Sequence, residues 1–133
     1  KFYHTLEEKK PQWSRAILRR EANRFWHPPD SKALPGHCTG GAVDVSITDA
    51  AGNPLDMVSQ TREGYSTLAT YSCYLTPEAK ANRALLIEVM AAAGFSNCAD
   101  EWWHWSYGDS CWAGRVNAPQ AIYAIMPPPV AGR

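Results

Sequence analysis

The stretch "GHCTGGAVDV" (36–45) places His37 upstream of Asp44 with the pair Gly40-Gly41 between them. Two glycines permit a tight backbone bend, which can turn the His37 imidazole back toward Asp44. Asp44 stands between Val43 and Val45 in a segment otherwise free of charge. A carboxylate buried there has to be paired or bound to a cation. Further on, "EWWHWSYGD" (101–109) sets Glu101 three residues before His104, among Trp102, Trp103 and Trp105. A neutral imidazole is a common zinc ligand. Two histidines, one aspartate and a water make a four-coordinate catalytic zinc, and Glu101 is placed to take a proton from that water. The tryptophans would exclude bulk water and lower the local dielectric, strengthening the metal's field. Singly, each residue also has a plain reading. His37 can be a loop histidine, Asp44 a residue on a wet strand face, and Glu101 with His104 a stray pair among core aromatics. HxxxxxxD upstream of ExxH in so short a chain favours the metal.

The elements must satisfy one geometric condition. In a regular strand residues 101 and 104 point to opposite faces. They address one centre only if Glu101 lies at the strand's entry or a bulge intervenes. The β-favouring tryptophans predict a strand over 101–107, with Gly108-Asp109 as a turn. The alternation in "AVDVSIT" predicts a half-buried strand over 42–48, with Val43, Val45 and Ile47 on one face, and "DAAGNP" reads as the turn after it. Residues 13–26 carry Trp13, Ile17, Leu18, Ala22 and Phe25 at helical spacing. The prolines of "HPPDSKALPG" end that helix. The clearest helix is 76–94, with Thr76 as cap, Pro77 in the first turn, and Leu85, Leu86, Val89, Met90 and Ala93 as its apolar stripe. Residues 58–75 read as a long loop, and "QAIYAIM" (120–126) as a short strand. Helices mixed with antiparallel strands predict an α+β fold.

Bulk properties narrow the classes. The 133 residues suit one domain, and 13 basic residues balance 13 acidic ones. That balance argues against a nucleic-acid surface held by charge. No apolar run reaches the ~20 residues of a transmembrane segment. The chain opens on Lys with no visible signal peptide, which reads as a processed, trimmed or partial polypeptide. Cys38, Cys73, Cys98 and Cys111 lack CxxC spacing. They are either two disulfides, which fits a periplasmic or extracellular setting, or idle thiols of a cytoplasmic one. A Cys38–Cys73 bridge would fix the loop that carries His37.

At these residues the chain resembles the zinc D-alanyl-D-alanine dipeptidase family, within the wider group of D-Ala-D-Ala metallopeptidases. "LRREANRFWHPPD", "GHCTGGAVDV", "PLDM", "ANRALLIEVMAAAGF" and "EWWHWSYGD" carry the likeness, in family order. The resemblance implies one zinc ion on His37, Asp44 and His104, with Glu101 as general base. It implies a small antiparallel sheet carrying the metal, flanked by helices. The implied reaction is hydrolysis of D-Ala-D-Ala or a related D-alanine-terminated cell-wall peptide. A D,D-carboxypeptidase acting on longer muropeptides and a non-catalytic zinc-fold binding module are the alternatives.

Three departures from the family pattern stand out. The family's upstream Tyr-Arg motif has no counterpart in residues 1–133, so the expectation is a single zinc peptidase domain lacking the N-terminal portion. A separate N-terminal fragment is then an expected partner, beside the small D-amino-acid peptide substrate. Next, "DMVSQTREG" stands where the family often has "DMG" and an aspartate for the substrate's amino group; Glu63 is the residue able to receive that ammonium. Finally, Pro35 occupies a position where a substrate-contacting serine can occur. Trp103, Trp105, Tyr107 and Trp112 are candidates for an apolar wall against D-alanine methyl groups, with core packing as their other reading.

Overall fold

The computed structural model describes residues 2–25, 36–63 and 66–124 of the chain. It divides into two compact units, Lys1–Pro35 and Gly36–Arg133. In the first, α1 (Phe2–Lys9) and α2 (Arg15–Phe25) pack on each other. Leu18 and Ala22 of α2 are buried, as their spacing predicts, whereas Ile17 is exposed. Trp13 lies before α2 rather than within it. The proline-rich stretch after α2, including His27 and Pro35, lies outside the described residues.

The second unit begins with a 3₁₀ turn at Gly36–Thr39 and continues into β1 (Ala42–Asp44), α3 (Pro77–Ala92), β2 (Ser96–Cys98), β3 (Glu101–Ser106) and α4 (Ser110–Arg115). The three strands form an antiparallel sheet in the order β1-β3-β2. This is the α+β architecture the sequence predicts. The strand expected over 42–48 is shorter than predicted. It ends at Asp44, with one more bond to β3 from Val45 N–H, and Val45 and Ile47 pack on the core. The turn after it is held by Asp49, whose carboxylate accepts from the backbone N–H of Ala51 and Asn53. Residues 120–124 are not a strand. The N–H groups of Ile122 and Tyr123 both donate to the Gly108 carbonyl, which folds the segment onto that turn; residues 125–126 lie outside the described set.

The core is Met57, Leu86 and Trp105, with Val45, Ile47, Ile87, Met90, Phe95 and Trp102 against it. Trp105 is 1 % exposed. Truncating so buried an aromatic removes about 3–5 kcal/mol of stability.

Helix α3 starts as predicted: the Thr76 hydroxyl accepts from Ala79 N–H at 3.2 Å, and Pro77 occupies the first turn. Its inner face, however, is rotated from the predicted stripe. Ala79, Arg83 and Leu86 are buried, while Leu85 and Val89 are exposed. The cause is Arg83. Its guanidinium donates to the carbonyls of Met57, Thr67, Ala69 and Thr70 and lies over the Trp102 ring at 5.2 Å. A charged group with that many fixed acceptors displaces an aliphatic residue from the inner face, because each loop carbonyl would otherwise be buried unpaired. Burial lowers the Arg83 pKa to about 10, opposed by the Asp56 carboxylate, so the group is charged at neutral pH. In this way α3 organises the long loop over 58–75, whose described residues form no strand beyond an isolated pairing of Gln60 with Leu75.

Candidate metal centre

Strand β1 pairs with β3 so that Asp44 stands opposite His104 and Val43 opposite Trp105. Directly opposed residues share a face, so Asp44 and His104 point the same way, away from the Trp105 core. The His37 turn precedes this ladder. Thr39 closes it, donating its hydroxyl to the Gly36 carbonyl at 2.6 Å and accepting from Gly41 N–H at 3.0 Å. Gly40 takes φ +71°, a left-handed conformation suited to glycine, and delivers the chain into β1.

Asp44 Oδ1 lies 3.1 Å from His104 Nδ1 and 3.4 Å from His37 Nε2. The two imidazoles meet edge to face, with centroids 4.6 Å apart and planes at 83°. One donor atom from each of the three residues falls within 4.8 Å of the others. Donors held ~2.0–2.1 Å from a tetrahedral zinc lie roughly 3.3 Å from one another. The two Asp44–histidine separations, 3.1 and 3.4 Å, match that edge.

The tautomer of His37 sharpens the chemistry. Its Nδ1 lies 3.2 Å from the Ala42 carbonyl, which can only accept. The proton of the neutral ring therefore sits on Nδ1, and Nε2 turns a lone pair toward the Asp44 carboxylate. Two lone pairs at 3.4 Å repel unless a cation lies between them or the ring gains a second proton. A backbone carbonyl behind the ring is also the usual support of a metal-binding histidine.

Exposure corrects one expectation. The Asp44 side chain is 52 % exposed and His37 45 %, whereas His104 is 14 %. Asp44 is not a buried strand carboxylate; it points to the solvent side of a short edge strand.

Glu101 is the first residue of β3 and partly buried, with no hydrogen bond or ion pair to its carboxylate among the described residues. Strand register gives its direction. Trp105 pairs with Asn97 of β2, but Glu101 pairs with the next residue, Cys98. Neighbouring residues of β2 point to opposite faces, so Glu101 faces away from Trp105. That is the face of His104 and Asp44. A regular strand would have put Glu101 and Trp105 on the same side.

The aromatic candidates divide. Trp105 is core, and Trp102 is held by the core and Arg83. Tyr107 and Trp112 pack on each other, with Phe95 and Tyr123 against Tyr107. Trp103 is partly exposed and rests edge-on against Trp102 at 5.5 Å. Glu63 lies exposed in a turn. All four cysteines are unpaired: Cys38, Cys73 and Cys111 exposed, Cys98 partly buried. The expected bridges, including Cys38–Cys73, are not formed; hydrogen bonds through Thr39 close the His37 turn instead.

Three supporting residues escaped sequence reasoning. Arg83 is one. Asp109, read as a turn residue, is a fully buried helix cap whose Oδ1 accepts from Trp112 N–H at 2.7 Å. Asn97, on β2, contacts β3 through its side-chain amide. Their signals were a single arginine on a helix, an aspartate before Ser110 and an asparagine after a glycine-ended helix, none specific on its own.

Comparison with known proteins accords with this geometry. The family model described as D-ala-D-ala dipeptidase matches residues 8–123. A D-alanyl-D-alanine dipeptidase of Synechocystis is 33 % identical over 108 residues, covering 71 % of this chain and 43 % of the relative. One of Escherichia coli is 32 % identical over 95 residues, covering 71 % and 49 %. One of Streptomyces coelicolor is 31 % identical over 75 residues, covering 56 % and 37 %. The chain spans under half the length of these curated relatives. No solved structure matches. With His37, Asp44 and His104 gathered at one small antiparallel sheet, and the match running through both HxxxxxxD and ExxH, the chain belongs to the D-Ala-D-Ala dipeptidase family.

Proposed function

We propose that this chain carries the zinc centre of a peptidase that hydrolyses D-Ala-D-Ala or a related D-alanine-terminated cell-wall peptide. The observation that carries the proposal is Asp44 Oδ1 shared between two ring nitrogens, one of which has its proton fixed on its far side. Two imidazoles and a carboxylate are a zinc donor set, and they leave the remaining position to water or substrate. The names of the relatives supply the substrate class.

His37, Asp44 and His104 would hold the zinc, which would supply Lewis acidity and bring the pKa of water near neutral. Glu101 is the general base in this reading. It takes a proton from the attacking water as the water's oxygen joins the peptide carbonyl carbon, then gives it to the leaving amine as the C–N bond breaks. Among the described residues no partner competes for its carboxylate, which leaves Glu101 available for both transfers. The Ala42 carbonyl keeps the His37 ring in the ligating tautomer. Glu63 offers a carboxylate to the substrate ammonium in this reading.

Metal analysis joined to a D-alanine release assay tests this. The expected result is one zinc per chain and release from D-Ala-D-Ala that a chelator abolishes and added zinc restores. A chain that binds no zinc overturns the reading. A chain that binds zinc but hydrolyses neither the dipeptide nor a muropeptide pentapeptide is a binding module.

A further inference from the structure

We infer that Asn97 is the positioning residue that sets Glu101 and His104 on one face; the inference rests on the proposed roles of those two residues. Between Asn97 and Cys98, strand β2 advances one residue while β3 passes from Trp105 to Glu101. Trp102, Trp103 and His104 are thus an excursion with no counterpart on β2. An uninterrupted ladder would have set Cys98 against His104 and turned Glu101 toward the core.

Such an excursion leaves backbone carbonyls without their ladder donors, and these need other partners. Asn97 provides them. Its Nδ2 donates to the His104 carbonyl at 3.1 Å and the Trp102 carbonyl at 3.2 Å, with the Glu101 carbonyl at the limit of contact, 3.5 Å. The intervening Trp103 carbonyl accepts from Val45 N–H at 2.8 Å, and Trp102 N–H donates to the Leu68 carbonyl. One side-chain amide from the neighbouring strand therefore serves both ends of the ExxH segment.

The orientation of that amide is fixed. Carbonyls only accept, so the NH2 end faces β3. The oxygen end meets the hydroxyl of buried Thr70, which is also 2.8 Å from the Cys98 carbonyl. Thr70 is anchored in turn: its N–H donates to Ala99, and its carbonyl accepts from Arg83. The chemistry restricts the residue type. Aspartate has the shape but no donor, alanine has neither, and glutamine carries the amide one methylene too far.

Two variants test the role, Asn97→Asp and Thr70→Val. The readouts are amide exchange at Trp102 in metal-free protein, zinc affinity by chelator competition, and the visible spectrum of the Co2+-loaded protein. The expected result for Asn97→Asp is native far-UV dichroism, at least tenfold faster exchange at Trp102, at least tenfold weaker zinc binding and an altered Co2+ spectrum. Thr70→Val removes the orienting donor and leaves the amide, so the same changes are expected at about threefold. It carries the test if Asn97→Asp does not fold. Wild-type exchange and wild-type zinc affinity in the variants overturn the inference. If the wild-type chain itself binds no zinc, the metal reading fails, and the exchange measurement still decides whether Asn97 holds the excursion.

Discussion

Gly36 and Asp109 are in direct contact: a Cβ on Gly36 would lie 2.1 Å from Asp109 Oδ2. Asp109 is fully buried and fixed as the cap of α4, so it has no room to withdraw. The residue beside His37 is thereby restricted to glycine. Gly36→Ala is expected to lose about 1–3 kcal/mol by overpacking and to weaken zinc binding by displacing His37. Asp109→Ala alone should cost about 1 kcal/mol as a lost cap. The double variant should be more stable than the sum of the two changes, a coupling that urea unfolding of the four proteins measures.

Zinc should stabilise the folded chain through Asp44. At a hundredfold excess over Kd the gain is about 2.7 kcal/mol, or roughly 8–15 °C in Tm for a domain of this size. Asp44→Ala is expected to abolish the shift, and a chelator should reverse it in the wild type. Scanning calorimetry with and without zinc checks both.

Glu101→Gln separates chemistry from metal binding. The change removes the base and keeps the side chain's shape, so turnover should fall by about 10²–10⁴ while zinc affinity stays within a few-fold. Loss of zinc along with activity would move Glu101 from base to ligand.

Arg83 should be among the costliest side chains to truncate. Arg83→Ala leaves four loop carbonyls without their donor, and a loss of at least about 3 kcal/mol is expected. Arg83→Lys should recover little of it, since an ammonium cannot span the carbonyls of Met57 and Thr67 together. Chemical denaturation of both variants is the check.

Acid stability should depend on Asp56. Its carboxylate accepts from Ser59 and Val58 N–H groups, the Ser59 bond being the stronger cause, and its pKa lies below the ordinary 3.8. A depressed folded-state value means the unfolded chain takes up the proton first as pH falls. The contribution is complete above pH ~4 and disappears as pH drops through the folded value. Asp56→Asn should therefore show a smaller loss of urea midpoint between pH 6 and pH 3 than the wild type.

The residues that gather at the candidate metal site were legible because their signals are local. His37 and Asp44 come with a glycine pair that permits the bend, and His104 lies in a segment of strong strand preference. The capped start of α3 was legible for the same reason. Its buried face was not. Leu85 and Val89 fit an apolar stripe better than Arg83 does, but Arg83 bonds to carbonyls 13 to 26 residues away. Periodicity within a helix carries no record of acceptors on a distant loop. Residues around Trp105 illustrate the same limit. The register that turns Glu101 away from it is set across strands by Asn97, and a one-strand alternation rule predicts the opposite face.

Strand order has a consequence for biogenesis. Asp44 and His104 lie 60 residues apart in sequence, and the strand that joins them, β3, docks between two earlier ones. A nascent or partly collapsed chain can offer the early histidine and aspartate, but not the third donor. In the proposed zinc centre, tight capture of the ion would wait for that long-range closure, which would make metal uptake a stopwatch for completed folding. Refolding followed by a zinc-sensitive dye should lag behind helix formation followed by dichroism.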